Sequence, residues 1–540
     1  MTEILDSYGR PAKTERPQPS GAYFQGERNM HLWSWRPALR DINDDVQSAW
    51  RIGTARAVEA LQNSGWLSGG VDEAVASLVG TGLQLSLKPD WEALGWTQEH
   101  GQEWARRVEG RYETWADDPT ESDLTQQFTV HQQIIAACKL YYATGAFLAW
   151  LPIRKRPFAR TVTKLQMLHP AMICDRTDMT RRLRNGVFLD ADNAPIALLI
   201  RQRDPATGIE QDYTMRLRDD YGRPALMHVF DGLPGQVRGI TPLAPVLKVV
   251  RQYDQLADAT LTATLLQTLF AATLTSNPNL SADAFAALST TDETTGNPVS
   301  ALEAYMGMKG EWYKNTKLDL GVHGRIAHLF PGETLDFKGV QNPSSLYEPF
   351  SNGLLREVAR CANITFEQMT GNYSQATYSS VRMATSNIWQ IVLTRRKFLP
   401  ARVYRGVFEA WLEEDIAEGN TPCVVNGQQG LDAFLANRSA LCRSTWRGPA
   451  RPTADDQKTS NAQKTKLTMG VTTLEAESAE YGMDWEDIAE QQKRERDTYK
   501  KLGLVHPVDA ERGRGQNEVG KETSPDPDAP DDETEKKEAA

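Results

Sequence analysis

The sequence predicts an α+β protein whose first half mixes helices with short strands and whose second half is mostly long helices. Between about residues 146 and 230, apolar runs such as AFLAWLPI, GVFLD and PIALLIR are separated by turn residues, as is typical of strands. On either side of this region, apolar residues recur at helical spacing over longer stretches. Because helices and strands come in blocks, the two kinds of element are expected to segregate in the fold.

The bulk composition is ordinary for a folded protein with two to four domains. The chain has 540 residues, of which 40% are hydrophobic and 24% charged, and its formal net charge is −11. A protein that coats DNA phosphates is expected to be basic, so an acidic chain that meets DNA should let it slide. The five cysteines form no C-x-x-C pair, which predicts no disulfide framework.

The first half is expected to begin with helices. Helical spacing runs over residues 45–66, and a second helix, VDEAVASLV, should stop at Gly80 before the short strand LQLSL. A further helix carries Trp104, Val108 and Trp115 on one face. The segment DADNAP at 190–195, between two strand-like runs, indicates a hairpin connection.

One apolar stretch, residues 134–153, resembles a membrane span. It contains Lys139 and the pair Thr144-Gly145, and it ends at Pro152. A helix that runs into a buried strand explains these features better than a span does. The first residues, MTEILDSYGRPAKTERPQPSG, lack the apolar core of a secretory signal.

Long helices are predicted in the second half. One should open at Thr241-Pro242 and run to about Ser276, which is about 35 residues, or about 50 Å at 1.5 Å per residue. A second should span about 346–369, and a third about 381–415 with a kink just before Pro400. Residues 453–503 are again helical but thinly apolar, and the acidic, proline-rich tail after Gly513 should be disordered.

No motif for catalysis or for a metal is visible in the sequence. There is no G-x-x-x-x-G-K-[ST] loop and no G-x-S-x-G elbow. His323 and His328 lack a third ligand at metal spacing, and the carboxylates between 204 and 220 are expected to form a solvated edge. We therefore expect no cofactor and a structural or mechanical role rather than an enzymatic one.

Four segments, in one consistent order between about 45 and 505, resemble the lambda-type portal family of tailed bacteriophages. The first is AVEALQNSGWLSGGVDEAVASLVGTGLQL, and the second is HVFDGLPGQVRGITPLAPV with the helix after it. The third, at 329–384, contains LLREVARCANITFEQMTGNYSQATYSSVR. The fourth and weaker one is WRGP at 446–449, followed by MGVTTLEAESAEYGMDWEDIAEQ. Residues 277–325 match no family pattern, and an Ala-Thr pair is inserted at 376–377.

The resemblance implies a portal fold with a mixed α/β wing, a two-helix stem, a small clip, a long kinked helix and a helical crown. The segments implied are an N-terminal arm (1–45), the wing (46–245), stem helix 1 (246–276), the clip (277–343), stem helix 2 (344–370), a tunnel loop (371–380), the kinked wing helix (381–415), the crown region (416–510) and a disordered acidic tail (511–540).

The same resemblance implies a function and a set of partners. Portal subunits form a ring, usually of twelve copies, at one capsid vertex, through which double-stranded DNA is packaged and ejected. The implied partners are further copies of the chain, the terminase large subunit, a head–tail adaptor, the major capsid and scaffold proteins, and the passing DNA, with no membrane. The implied location is the portal vertex of the virion, and the host cytoplasm during assembly.

The resemblance also implies candidate site residues. In the loop 371–380, which has no charged residue, the candidates to touch DNA are Asn372, Tyr373, Ser374, Gln375, Thr377 and Tyr378. Each fixed Lys or Arg there would add a phosphate contact to break at every step, so a neutral loop suits a sliding contact. An ordinary interhelical turn whose tyrosines pack on neighbours is equally compatible with these residues. Arg238 and Arg356 are candidates for subunit contacts, or for surface salt bridges of little consequence.

Two other functions remain open at this point. A DNA-processing enzyme such as a nuclease or a motor subunit would need a phosphate loop or a carboxylate cluster, which the sequence does not show. Another capsid-associated structural protein, such as a scaffold or an adaptor, is the second alternative. Scaffolds tend to be more uniformly helical than this chain.

Overall fold

The computed structural model describes residues 38–204, 207–269, 273–276, 301–315, 333–336, 347–453, 456–507 and 509. The helices are α1 (Ile42–Asn63), α2 (Gly65–Val79), α3 (Trp91–Leu94), α4 (Gln98–Ala116), α5 (Pro119–Ser122), α6 (Val130–Thr144), α7 (Leu247–Leu269), α8 (Ala301–Asn315), α9 (Tyr347–Ala362), α10 (Phe366–Thr370), α11 (Tyr378–Phe398), α12 (Pro400–Ala417), α13 (Gly430–Leu441), α14 (Asp456–Thr468), α15 (Leu474–Glu480) and α16 (Trp485–Lys501).

The strands are β1 (Gln84–Leu87), β2 (Ala146–Trp150), β3 (Gln166–Leu168), β4 (Leu183–Arg184), β5 (Val187–Leu189), β6 (Pro195–Arg203), β7 (Glu210–Arg216), β8 (Leu226–Phe230), β9 (Thr273–Ser276), β10 (Glu333–Asp336), β11 (Val424–Val425), β12 (Gln428–Gln429) and β13 (Ser444–Arg447). The predicted mixture of helix and strand is confirmed, with the longer strands confined to the stretch between residues 146 and 230.

The main core forms where helices from both halves of the chain pack together. Helices α2, α4, α6, α9 and α12 contribute most of its buried side chains. At its centre the ring of Tyr112 on α4 meets Phe408 and Trp411 on α12, with ring centroids 5.3 Å apart in each pair. Edge-on aromatic pairs of this kind add about 0.5–1.5 kcal/mol beyond the burial of their area.

Two antiparallel sheets form in the region between residues 146 and 230, and strands β4 to β6 bury smaller core clusters of their own. Strand β2 lies between β3 and β8, and β4 to β7 form a meander in chain order. The predicted hairpin at 190–195 joins β5 to β6, where Asp190 accepts hydrogen bonds from the backbone of Asp192 and Ala194 at 2.9 and 2.8 Å. The short pair of β1 with β13 ties residues 84–87 to residues 444–447.

The apolar stretch 134–153 is a helix followed by a buried strand, as predicted. Helix α6 ends at Gly145, whose φ of 79° allows the chain to reverse into β2. A Cβ at this position would lie 2.0 Å from the carbonyl oxygen of Ile240, so only glycine fits. Within the described ranges, no helix is long and apolar enough to span a membrane.

Three of the predicted helix boundaries were wrong. The arm does not extend to residue 45, because α1 begins at Ile42 with Asp41 as its N-cap. After a short 3₁₀ turn, α7 runs from Leu247 only to Leu269, and the predicted last turns contain strand β9, which pairs with β10. The helix predicted over 346–369 is divided into α9 and α10, because Asn363 adopts a φ of 59°. Thr365 then caps α10 together with Gln368.

The predicted kink before Pro400 is confirmed. Helix α11 ends at Phe398, and Leu399, with φ −113° and ψ −87°, separates it from α12, which starts at Pro400. Proline lacks the N–H that would continue the hydrogen-bond ladder, so the break occurs at this residue. The helices after residue 455 carry few buried side chains, in agreement with their predicted thin apolar face.

The remaining segment predictions fall largely outside the described residues. These are the arm before residue 38, most of the predicted clip at 277–343, and the acidic tail at 511–540.

Candidate functional site

The candidate tunnel loop is a short, exposed connection between α10 and α11. Residues 371–375 and 377 are exposed, and the Tyr373 side chain retains 52% of its accessible surface. The chain between Glu367 and Arg382 contains no charged residue. The loop therefore presents hydroxyl and amide groups to its surroundings and carries no fixed charge.

Both ends of the loop are held by helix caps. Gly371 ends α10 with a φ of 65°, and its N–H donates to the carbonyl oxygen of Glu367. Thr377 is the N-cap of α11: its hydroxyl accepts from the Ser380 N–H at 3.3 Å, and the Ser380 hydroxyl accepts from the Thr377 N–H at 3.0 Å. Such reciprocal caps satisfy the free N–H groups of a helix start.

Inside the loop, Asn372 forms a local turn. Its side-chain oxygen accepts from the Ser374 N–H at 3.0 Å and from the Ser374 hydroxyl at 2.7 Å. The Tyr373 carbonyl accepts from the Ala376 N–H at 3.1 Å. These bonds fix the backbone while the side chains of Tyr373 and Gln375 stay in solvent.

The base of the loop is packed against α2. Met369, on α10, is buried against Gly70, where an added Cβ would lie 2.4 Å from the methionine sulfur. Of the predicted DNA-contact residues, Asn372, Tyr373, Ser374 and Gln375 lie together on the exposed loop. Thr377 is used as a cap, and Tyr378 is the first residue of α11.

The two candidate subunit-contact arginines occupy very different environments. Arg238 is 2% exposed, and its guanidinium lies 3.7 Å from the centroid of the Trp50 ring. It donates to Asp175 Oδ1 at 2.5 Å and to the Ile173 carbonyl at 3.1 Å. Burial lowers the pKa of Arg238, and the neighbouring Asp175 opposes this effect. All of these contacts are internal to the subunit.

Arg356 is exposed on α9, where its guanidinium lies 4.7 Å from the centroid of the Phe366 ring. It is free to meet a neighbouring molecule, whereas Arg238 is occupied within the chain.

The carboxylates between 204 and 220 are engaged in local structure. Asp212 pairs with Arg201 at 2.9 Å, Asp220 pairs with Arg216 at 2.8 Å, and Asp219 accepts from the N–H of Arg223 at 2.8 Å. No group of three metal-ligating side chains occurs in the part of the chain that the structure describes. His323 and His328 lie outside that part.

The sequence predictions missed an exposed basic loop at residues 154–160, RKRPFAR, here called the basic loop. Four of its seven residues are cationic, in a chain whose net charge is −11. Phe158 is 96% exposed and has a φ of 65°, a conformation that aromatic residues rarely adopt. The charge run is visible in the sequence, but the exposure of its phenylalanine is not.

The predictions also missed a cavity of about 390 Å³, here called the α4–α16 pocket. Helix α4, strand β1 and the start of α16 surround it, and Glu109 faces it from α4. The Glu109 carboxylate accepts the Leu87 N–H at 2.5 Å. Burial, with smaller contributions from Asp484 and Asp487, raises the pKa of Glu109 to about 7 against the opposing effects of the Leu87 N–H and Arg447.

Comparison with known proteins identifies the family. A family model described as phage portal protein, lambda family, matches residues 28–396. The chain is 26% identical over 496 residues to the portal protein of Escherichia phage N15, which covers 90% of this chain and 91% of that protein. It is also 26% identical over 497 residues to portal protein B of Escherichia phage lambda, with 90% of each chain covered.

A solved structure of the neck of an empty gene transfer agent particle contains a chain with a TM-score of 0.37 and 13% identity to this one. That alignment covers 84% of this chain and 97% of the other. The match to the family model assigns the family, because it extends over more than half of the sequence and agrees with the resemblance of the motifs. The chain belongs to the lambda family of phage portal proteins.

Proposed function

We propose that twelve copies of this portal protein form a ring at one capsid vertex and that double-stranded DNA passes through the ring during packaging and ejection. A portal protein is a structural component of the virion and not an enzyme, and the family match supports that role here. The observation that carries the proposed sliding contact is the neutral, exposed loop at 371–377, fixed at both ends.

The segments follow the portal layout in this proposal. Residues 46–245 form the wing, α7 and α9 are the two stem helices, and residues 277–343 form the clip between them. The loop 371–380 is the tunnel loop, α11 and α12 form the kinked wing helix, and residues 416–510 form the crown region. The antiparallel pair of β9 with β10 supports this layout, because it brings the chain entering the clip beside the chain leaving it.

The tunnel loop would contact DNA through Asn372, Tyr373, Ser374 and Gln375, with Thr377 and Tyr378 at the start of α11. Hydroxyl and amide groups form hydrogen bonds to phosphate oxygens that exchange with water. A fixed cation would add an electrostatic contact that must be broken at each step. The Asn372–Ser374 turn holds the backbone in place, so the loop meets the DNA without first having to become ordered.

The proposed partners follow from this position. The clip would dock the terminase large subunit during packaging and the head–tail adaptor afterwards, and the wing would contact the major capsid and scaffold proteins. Arg356, exposed on α9, is retained as a candidate subunit contact. The protein would fold in the host cytoplasm and reside in the virion at the portal vertex.

The test of the tunnel loop is the double substitution Tyr373→Lys with Ser374→Lys. In a ring of twelve it adds 24 positive charges to the channel, and each phosphate contact steepens the salt dependence of DNA binding. We expect rings of about 0.7 MDa, twelve times 60.3 kDa, and clearly fewer DNA-filled heads in a packaging assay.

The matched control is Tyr373→Gln with Ser374→Gln, which removes the same side chains without adding charge. It should package like the wild type. If the lysine variant also fills heads normally, the loop does not act as a low-friction contact.

A further inference from the structure

The basic loop is a rigid projection from the surface. The Glu121 carboxylate accepts the backbone N–H of Arg160 at 2.9 Å and that of Thr161 at 3.0 Å. Gln126 donates to the Pro157 carbonyl at 3.0 Å, and Trp115 donates to the Thr161 hydroxyl at 3.1 Å. The loop is thus anchored to the end of α4 and to α5, and its shape does not depend on a partner.

The side chains at its tip are presented to solvent. Phe158 is held at a positive φ with almost its whole surface exposed. In the portion of the chain described by the structure, Arg154, Lys155 and Arg156 have no carboxylate partner, and the closest approach between the Arg160 and Glu121 side chains is 3.8 Å. A rigid aromatic tip flanked by arginines is the composition typical of an interface anchor.

The α4–α16 pocket has the complementary character. Its wall includes Trp91 and Trp485, which are 37% and 38% exposed. Glu475, Glu486 and Asp487 lie at its lining with Glu109.

Most cationic side chains around this pocket already form ion pairs with carboxylates. Lys88 is paired with Glu475, and Arg106 is paired with Glu486 and Glu490. Arg447 is paired with Asp484 at 2.7 Å. Asp487 has no ion pair with any residue that the structure describes, and burial raises its pKa, with Asp484 contributing in the same direction. Burial is the main cause of the raised pKa values of Asp487 and Glu109, and neighbouring carboxylates add to it, so an incoming cation would favour the charged form of both groups.

The pocket lies along the first two thirds of α4, and the loop is attached beyond the C-terminal end of the same helix. The pocket is lined by residues from Gln98 to Glu109 on α4, and the loop is bonded to Trp115 and to Glu121 beyond its other end. At 1.5 Å per residue, α4 is about 28 Å long. Two separate surfaces on one subunit, a projecting loop and a receptor, are what a head-to-tail interface of identical subunits requires.

We propose that the basic loop of one copy docks into the α4–α16 pocket of the next copy in the ring. Phe158 would enter between Trp91 and Trp485, and Arg154 and Lys155 would meet the carboxylates of Asp487 and its neighbours. The inference rests on the proposed ring assembly and assigns it a specific contact. Because loop and pocket are different surfaces, each copy can use both, and a series of such contacts closes into a ring of twelve when each contact rotates the next copy by one twelfth of a turn.

Two half-defective chains test the contact. The loop variant carries Arg154→Glu, Lys155→Glu and Phe158→Asn, since asparagine tolerates a positive φ. The pocket variant carries Trp91→Ala and Trp485→Ala, which removes the aromatic walls proposed to hold Phe158 without reversing any charge. A control variant, Lys464→Glu with Lys466→Glu, makes the same charge change as the loop substitutions on the exposed surface of α14. Circular dichroism melts check that all three remain folded.

Native mass spectrometry then measures how many copies each variant assembles. We expect the wild type and the control to form rings, and each half-defective chain alone to lose at least nine tenths of them. An equimolar mixture of the two should give a dimer of about 121 kDa, twice 60.3 kDa, because one intact loop finds one intact pocket. A chain with Arg154→Glu, Lys155→Glu, Glu475→Lys and Asp487→Lys should recover rings through the exchanged charges.

The contrary results are distinct. Normal rings from both half-defective chains, or no dimer in the mixture, would overturn the loop–pocket contact. Loss of rings on deleting residues 511–540 would assign the loop to the acidic tail instead, and would also overturn it. A wild type that stays monomeric under assembly conditions would refute the ring of the proposed function itself.

Discussion

Replacing Arg238 by methionine should destabilise the subunit itself, before any ring is formed. The side chain is 2% exposed, and its shortest contacts are with three neighbours: the carboxylate of Asp175, the carbonyl of Ile173 and the face of Trp50. Methionine can fill much of the same space, but it has no N–H to donate to the Asp175 carboxylate or to the Ile173 carbonyl.

The magnitude follows from these contacts. Removing one partner of a buried ion pair costs about 3–5 kcal/mol of folding stability. Losing a desolvated cation–π contact costs about 2 kcal/mol. The Asp175 side chain is 36% exposed, so water can solvate it once the arginine is gone. We therefore expect the lower end, about 3 kcal/mol, for Arg238→Met. Arg238→Lys should lose most of this as well, because one ammonium lacks the planar fork that reaches both acceptors and stacks on Trp50.

The assay is chemical denaturation of the unassembled chain, followed by far-ultraviolet circular dichroism, with the shift in midpoint converted to a free energy of unfolding. Arg356→Met is the matched control, because this arginine is exposed and only covers the Phe366 ring. It should cost about 0.5–1 kcal/mol. If Arg238→Met leaves the free energy of unfolding within about 0.5 kcal/mol of wild type, the internal role assigned to Arg238 is wrong.

Two further predictions concern Glu109 and Gly145. The pKa of Glu109 is raised from 4.5 to about 7, so above pH 4.5 the unfolded chain ionises first, and stability falls until about pH 7. The free energy of unfolding of Glu109→Gln should therefore match that of the wild type near pH 4.5 and exceed it by about 3 kcal/mol at pH 8. Denaturation of the unassembled chain at both pH values measures this, and equal pH profiles would contradict it. Gly145→Ala would place a Cβ 2.0 Å from the Ile240 carbonyl oxygen at a positive φ, so we expect the folding free energy to fall by about 4 kcal/mol or more. The measurement is the yield of folded protein, and normal yield and melting would refute the tight contact.

The sequence predicted the elements that are specified by neighbours along the chain. The break at Pro400 needs only the missing N–H of one residue, and the strand after Gly145 follows from an apolar run with a glycine before it. The division between α9 and α10 could also have been found, because Thr365 and Gln368 form a capping box and Asn363 tolerates a positive φ.

Features that depend on distant parts of the chain could not be found in the same way. Strand β9 pairs with β10 about 60 residues later, and its own sequence continues the helical spacing of α7. Arg238 was predicted at a subunit contact, but its partners Trp50 and Asp175 are far away in sequence. The tunnel-loop prediction rested on a resemblance and on the absence of charge. The geometry that brings Asn372 and Ser374 into one fixed turn became visible only in the structure.

In the proposed ring, the caps at Gly371 and Thr377 would limit how far the loop between them could change the width of the channel. A seven-residue connection with both ends fastened can extend its tip by no more than about half its contour length, or about 12 Å. Much of that length is already folded into the turn at Asn372. Any larger narrowing or widening around the DNA would therefore have to come from tilting α10 and α11 as levers, and a substitution at their pivots, Asn363 or Leu399, would alter the aperture without touching its lining.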